Sequence, residues 1–167
     1  MDFELLKPDT DALSKTDWKK PRVDIKDRIG LVGLVASAFM VVLVFHPWFG
    51  FSKDAESVTL PGITLWYGII GFLTAAATLA CNIYRHKAMA FWTATASIFF
   101  GIIGMFKYAD ITFKGMPIPA ELIKISVSLG DGETTRWGAI LYFITSLVAA
   151  ASAFIKAMDI KIPKLQE

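Results

Sequence analysis

The sequence predicts an all-α membrane protein: a four-transmembrane-helix bundle with a small extracytoplasmic loop cap patterned for short β-strands. Three observations predict it. Hydrophobic residues make up 54% of the 167-residue chain and charged residues only 19%, against about a quarter charged in a soluble domain. No Asp, Glu, Lys or Arg interrupts the run 57–84, which exceeds the roughly 20 apolar residues that cross a bilayer's hydrocarbon core. Arg85, His86 and Lys87 close that run, and a second apolar run, 88–106, follows at once. Two apolar runs joined by so short a basic turn make a helical hairpin.

Taken in order, residues 1–28 form a cytoplasmic N-terminal segment of interleaved acids and bases, broken by Pro8 and Pro21. Asp9, Thr10 or Asp11 supplies a cap for a short helix through Ala12. Lys19, Lys20, Arg22, Lys26 and Arg28 crowd toward the first apolar run beside Trp18, as in an interfacial anchor; a solvated tail is the alternative. The transmembrane domain covers 29–155. Its first span, 29–46, begins behind this charged segment and is long enough to be retained as a membrane helix. Pro47 stops it, and Trp48, Phe49 and Phe51 suit an interfacial belt.

The first outer loop is 47–61, the second span 62–84 and the third 88–106. The second outer loop, 107–136, is long for a helix–helix connection. Within it, 123–129 alternates apolar and polar residues as a half-buried strand does. Gly130 to Gly132 gives a turn, 134–137 a return strand, and 57–60 a third strand to lie beside them. The fourth span is 137–155, followed by a cytoplasmic tail, 156–167. Twelve of the seventeen Lys and Arg fall in the N-terminal segment, the 85–87 turn and the tail. Positive charge marks the cytoplasmic side, so both termini are expected inside an inner or plasma membrane.

Small residues recur at steps of three and four on each span, which keeps them on one helix face. Gly33, Gly68, Gly71, Ala75, Ser97, Gly101 and Gly104 are the expected helix-packing positions. In lipid, close backbone approach and dispersion hold helices together, and small side chains permit both. An outward docking face for a partner is the alternative use of such a stripe. Asn82 is placed to hydrogen-bond to a neighbouring span, and Cys81, the one cysteine, to pack as a small residue.

No Asp, Glu, Lys or Arg lies inside an expected span, which argues against ion-coupled transport, proton relays and voltage sensing. The two histidines, His46 and His86, are the candidate axial ligands for a haem or chlorin. They fall at opposite membrane faces and so cannot share one metal. No nucleotide loop, nucleophile elbow or metal-ligand cluster is present, so no metal, cofactor or enzymatic activity is expected. The small net charge of +2 gives no reason to expect nucleic acid.

Four spans, both ends inside and an outer loop carrying strand patterns resemble the layout of claudin-type tetraspan proteins. Claudins carry a tryptophan and cysteine signature in the first outer loop. The loop 47–61 has no cysteine, so no residue role is carried over. The functional expectation is a non-catalytic subunit or scaffold of a larger membrane complex. Its partners are the lipid bilayer and other membrane proteins, or further copies of itself. Trp48, Phe49, Ile123, Ile125 and Val127 are the expected contact residues. A small oligomeric channel or transporter is the alternative, and a pigment- or haem-binding subunit the third.

Overall fold

Asp27 starts the first long helix. Its carboxylate accepts a hydrogen bond from the Gly30 N–H at 3.0 Å, satisfying one of the orphan donors of the first turn. The computed structural model describes residues 3–17, 20, 21, 23, 24, 26–53, 56–106, 133–135 and 137–160. Ahead of Asp27, a 3-10 turn at Phe3–Leu6 leads to α1, Thr10–Ser14. Asp9 caps α1, accepting from the Ala12 N–H at 2.8 Å. Trp92 then donates its indole N–H to the Leu6 carbonyl at 2.8 Å, which ties the N-terminal turn to a helix far along the chain.

The described chain is mostly helical. The long helices are α2, Arg28–Leu43; α3, Trp66–Ile83; α4, Lys87–Phe106; and α5, Trp137–Ala157. Three of them, α3, α4 and α5, are long and apolar enough to cross a membrane. The fourth, α2, is equally apolar but has 16 residues, shorter than the expected run 29–46. It ends in tightened turns, with the Phe45 and His46 N–H groups bonding to Val42 and Leu43 carbonyls at 3.0 and 3.2 Å.

These helices are inside-out relative to a soluble bundle. Their buried faces are rich in small or hydroxylic residues: Ser37, Ala75, Thr78, Ala94, Ser97, Ala139, Ser146 and Ala149 are all 0% exposed, beside the larger Met40 and Tyr142. Many of their large apolar side chains point outward, with Phe39, Val42, Leu73 and Phe99 each more than half exposed. Water would penalise that arrangement; lipid would not.

Past Pro47 the chain forms a hairpin of β1, Pro47–Lys53, and β2, Glu56–Pro61. The pairing is antiparallel, Gly50 opposite Thr59, with an irregularity between Pro47 and Phe49. The third strand, β3, Glu133–Thr135, adds antiparallel to the other edge of β1, placing Gly50 opposite Thr135. The order is β2-β1-β3. A strand over 47–53 differs from the expected belt of interfacial aromatics. Its pairing partners, not its own alternation, make it a strand. The expected strand 123–129, with Ile123, Ile125 and Val127, lies outside the described residues.

The turn between α3 and α4 reverses the chain in three residues. Arg85 takes a left-handed conformation, φ 63°. The His86 N–H bonds to the Cys81 carbonyl at 2.8 Å and the Arg85 N–H to Asn82 at 3.3 Å, the paired bonds of a Schellman cap. Glycine is the usual residue there, since a left-handed backbone costs other residues about 1–2 kcal/mol. Arg85→Gly is therefore expected to exceed Arg85→Ala in unfolding stability by about 1 kcal/mol. Both lose the same ion pairs to Asp24 and Asp27. Equal denaturation midpoints in detergent would mean that the turn does not need the left-handed backbone.

Candidate functional site

The sheet end of the bundle is built around Trp48. It is 1% exposed, and its indole N–H donates to the Leu43 carbonyl at 2.8 Å, so its single polar atom is satisfied internally. Tyr142 lies 4.8 Å away centroid to centroid, and Tyr67 stacks at 6.1 Å. Four glycines from four parts of the chain make the space. A Cβ at Gly62 would stand 2.6 Å from the indole, at Gly104 and Gly138 3.0 Å, and at Gly71 3.3 Å. Gly138 also meets the Pro47 carbonyl.

Below the indole runs a ladder of hydroxyls between α3, α4 and α5. Tyr142 donates to the Gly71 carbonyl at 2.6 Å. Ser97 donates to Thr74 at 2.9 Å, and Thr78 to Thr93 at 2.9 Å. Thr74 and Thr93 in turn donate to carbonyls of their own helices. Among the described residues, every buried side-chain nitrogen and oxygen has a partner. A chain of hydroxyls in which each proton already has an acceptor ties helices together, and water or an ion would have to break it to enter.

The opposite end, beside the Arg85 turn, carries the charges. Asp27 pairs with Lys156 from the last turn of α5. Arg85 reaches Asp24 at 3.1 Å and Asp27 at 3.9 Å. The Lys26 backbone N–H, 3.0 Å from Asp24, and then the Arg85 guanidinium hold the Asp24 carboxyl below its ordinary value. Asn82 lies just beneath, donating to the Gly33 carbonyl at 3.3 Å and to Ser37 at 3.4 Å. A cavity of about 40 Å³ is lined by these groups with Cys81 and Ser152, large enough to hold water. The clasp therefore joins α2, the α3–α4 turn and α5 at a point where helix ends leave unpaired backbone groups.

The expected packing residues divide into two kinds. A Cβ at Gly101 would stand 3.0 Å from the Phe143 backbone, one at Gly68 would meet the Gly62 carbonyl, and one at Gly33 would meet the Ser152 hydroxyl; these are close approaches between segments of the chain. Gly71 and Gly104 instead make room for the Trp48 ring, and Ala75 and Ser97 are buried at 0% exposure. Trp48 is a correction: expected as a partner contact, it is covered by its own chain. An aromatic at a helix end has two apolar resting places, the interface and a pocket, and the glycines create the pocket. Phe49 is half-buried beside it.

The two histidines do fall at opposite ends. His46 is exposed at the end of α2. His86 has its Nε2 2.8 Å from the Thr16 hydroxyl, so a neighbour from the N-terminal segment already occupies that ring nitrogen. Among the described residues, no three His, Cys, Asp or Glu side chains converge as metal ligands would. Sequence reasoning missed Tyr142, although it sits four residues after Gly138 on the same stripe. It also missed Asp27 pairing with Lys156, whose only local signal was an Asp just ahead of an apolar run. Comparison with family models, with curated proteins and with solved structures gives no match.

Proposed function

We propose that this chain is a four-span integral membrane protein serving as a non-catalytic subunit or scaffold of a larger membrane assembly. One observation carries the reading: among the described residues, every buried side-chain nitrogen and oxygen already has a hydrogen-bond partner. An interior of that kind binds the helices to each other and offers no convergent free groups to a substrate. What remains for recognition is outer surface. At the sheet end, β2 and β3 each have β1 as their one neighbour among the described strands, and a strand edge is a template for another chain.

Counting α2 as a span follows from its outward apolar face and its antiparallel packing on α5. Its 16 residues cover roughly 24 Å, which a bilayer accommodates by local thinning. Both termini and the Arg85 turn lie on the cytoplasmic side in this reading, with the sheet outside. In a Cys81→Ser background, cysteines at Lys20 and Lys87 are expected to resist an impermeant thiol reagent in intact cells, and one at Lys124 to react. The reverse pattern would invert the orientation.

Purification in a mild detergent tests the assembly. The chain is expected to run far above its own mass with other polypeptides in fixed ratio. A ring made of this chain alone would favour the channel reading, with the path between copies, because the hydroxyl ladder within one copy is already satisfied. A visible absorption band would favour the pigment-binding reading. A colourless monomer would overturn all three.

A further inference from the structure

We propose that the outward face of α2 and α5 holds an anionic phospholipid, its acyl chain in an apolar groove and its phosphate on Arg28. The groove has a volume of about 350 Å³ and is lined by Leu31, Val32, Val35, Ala36, Thr145 and Val148. Val32, Val35 and Val148 are between two-fifths and one-half exposed. On α2, residue 28 precedes 32 and 35 by four and seven, so Arg28 stands on the same helix face, directly above the groove. Its Cα lies roughly 10 Å along the axis from that of Val35, the offset between a headgroup and the upper part of its tail.

The charge at this point is specific. Asp24, Asp27, Arg85 and Lys156 pair with one another, whereas Arg28 is exposed and makes no ion pair among the described residues. A guanidinium at the membrane boundary binds phosphate oxygens through paired N–H donors. The groove walls favour a lipid tail over a packed helix. Helices that meet in lipid do so over small residues, and here four of the six lining side chains are Leu or Val, with Ala36 and Thr145 the smaller ones. A flexible chain can follow such a surface without close backbone approach.

The inference rests on the chain being an integral membrane protein, and the experiment separates the two. The protein is first tested for retention in alkali-washed membranes; release into the supernatant would overturn the membrane reading and the site together. Detergent-purified, delipidated protein is then titrated with dioleoylphosphatidylglycerol and with dioleoylphosphatidylcholine, and bound lipid is counted by native mass spectrometry. Wild type is expected to prefer phosphatidylglycerol by about fivefold, the equivalent of the ~1 kcal/mol that one basic residue contributes near anionic lipid. Arg28→Gln should abolish the preference and keep tail binding. Val35→Trp, at an exposed position, should fill the groove and weaken both lipids. Membrane-retained protein with an unchanged preference in Arg28→Gln, or unchanged lipid binding in Val35→Trp, sinks the site alone. So does a dimer that Val35→Trp converts to monomer without changing lipid retention, because a second copy would then occupy the groove.

Discussion

Trp48→Ala is expected to cost about 3–5 kcal/mol of unfolding free energy, the range for emptying a buried large aromatic site. The site cannot collapse easily, because its walls are glycine backbone at Gly62, Gly71, Gly104 and Gly138 together with the Tyr67 and Tyr142 rings. Trp48→Phe separates packing from hydrogen bonding. It retains much of the ring and leaves the Leu43 carbonyl without the indole donor, and its cost should be about 1–3 kcal/mol. Denaturant titration in detergent micelles, followed by the loss of helical signal, would measure both. A Trp48→Ala variant with wild-type stability would show that the indole lies at the interface instead of among the helices. The same variant should loosen the β1–β2 hairpin, because Pro47 and Trp48 seat β1 on α5 through Gly138. Protease sensitivity near Lys53 would report that loosening.

The helices could be read from the sequence because their signals are local. An uncharged run, a basic triplet and a second uncharged run define α3, the turn and α4 within a single window. The small-residue stripes were equally visible, but their purpose was not. Gly71 and Gly101 have the same spacing signature, yet one faces an indole and the other a helix backbone. Only the path of the chain after Pro47 distinguishes them. For β1 the difficulty is of the same kind. Its sequence, from Pro47 to Lys53, shows no clean alternation, and one of its neighbours, β3, enters from beyond α4. Pairing across such a separation leaves no mark on either segment alone. The charged clasp is more distant still, since Asp27 and Lys156 stand near opposite ends of the chain.

That clasp should hold the hairpin end of the bundle together, and Asp27→Asn is the cleanest way to ask. Asparagine caps a helix about as well as aspartate, so the bond to the Gly30 N–H survives and only the charge is lost. Lys156 and Arg85 then face each other with Asp24 as the remaining acid. The Asp27 and Lys156 side chains are only 22% and 23% exposed, between a surface pair of 0–1 kcal/mol and a buried pair whose breaking costs 3–5. An expected loss of about 2 kcal/mol reflects that intermediate position. Lys156→Met removes the cation as well, and the double variant should recover part of the loss, because no unpaired charge is left near lipid. A double-mutant cycle reads the coupling directly. The pH dependence has a definite sign. Asp24 has its carboxyl held below the ordinary value of 3.8, so its contribution is complete above that pH and disappears as pH falls through the lower folded value. Stability from Asp24 should therefore stay level from pH 7 to pH 5 and decline only in stronger acid. Additive losses for Asp27→Asn and Lys156→Met would mean that the two side chains act independently, each through its own helix end.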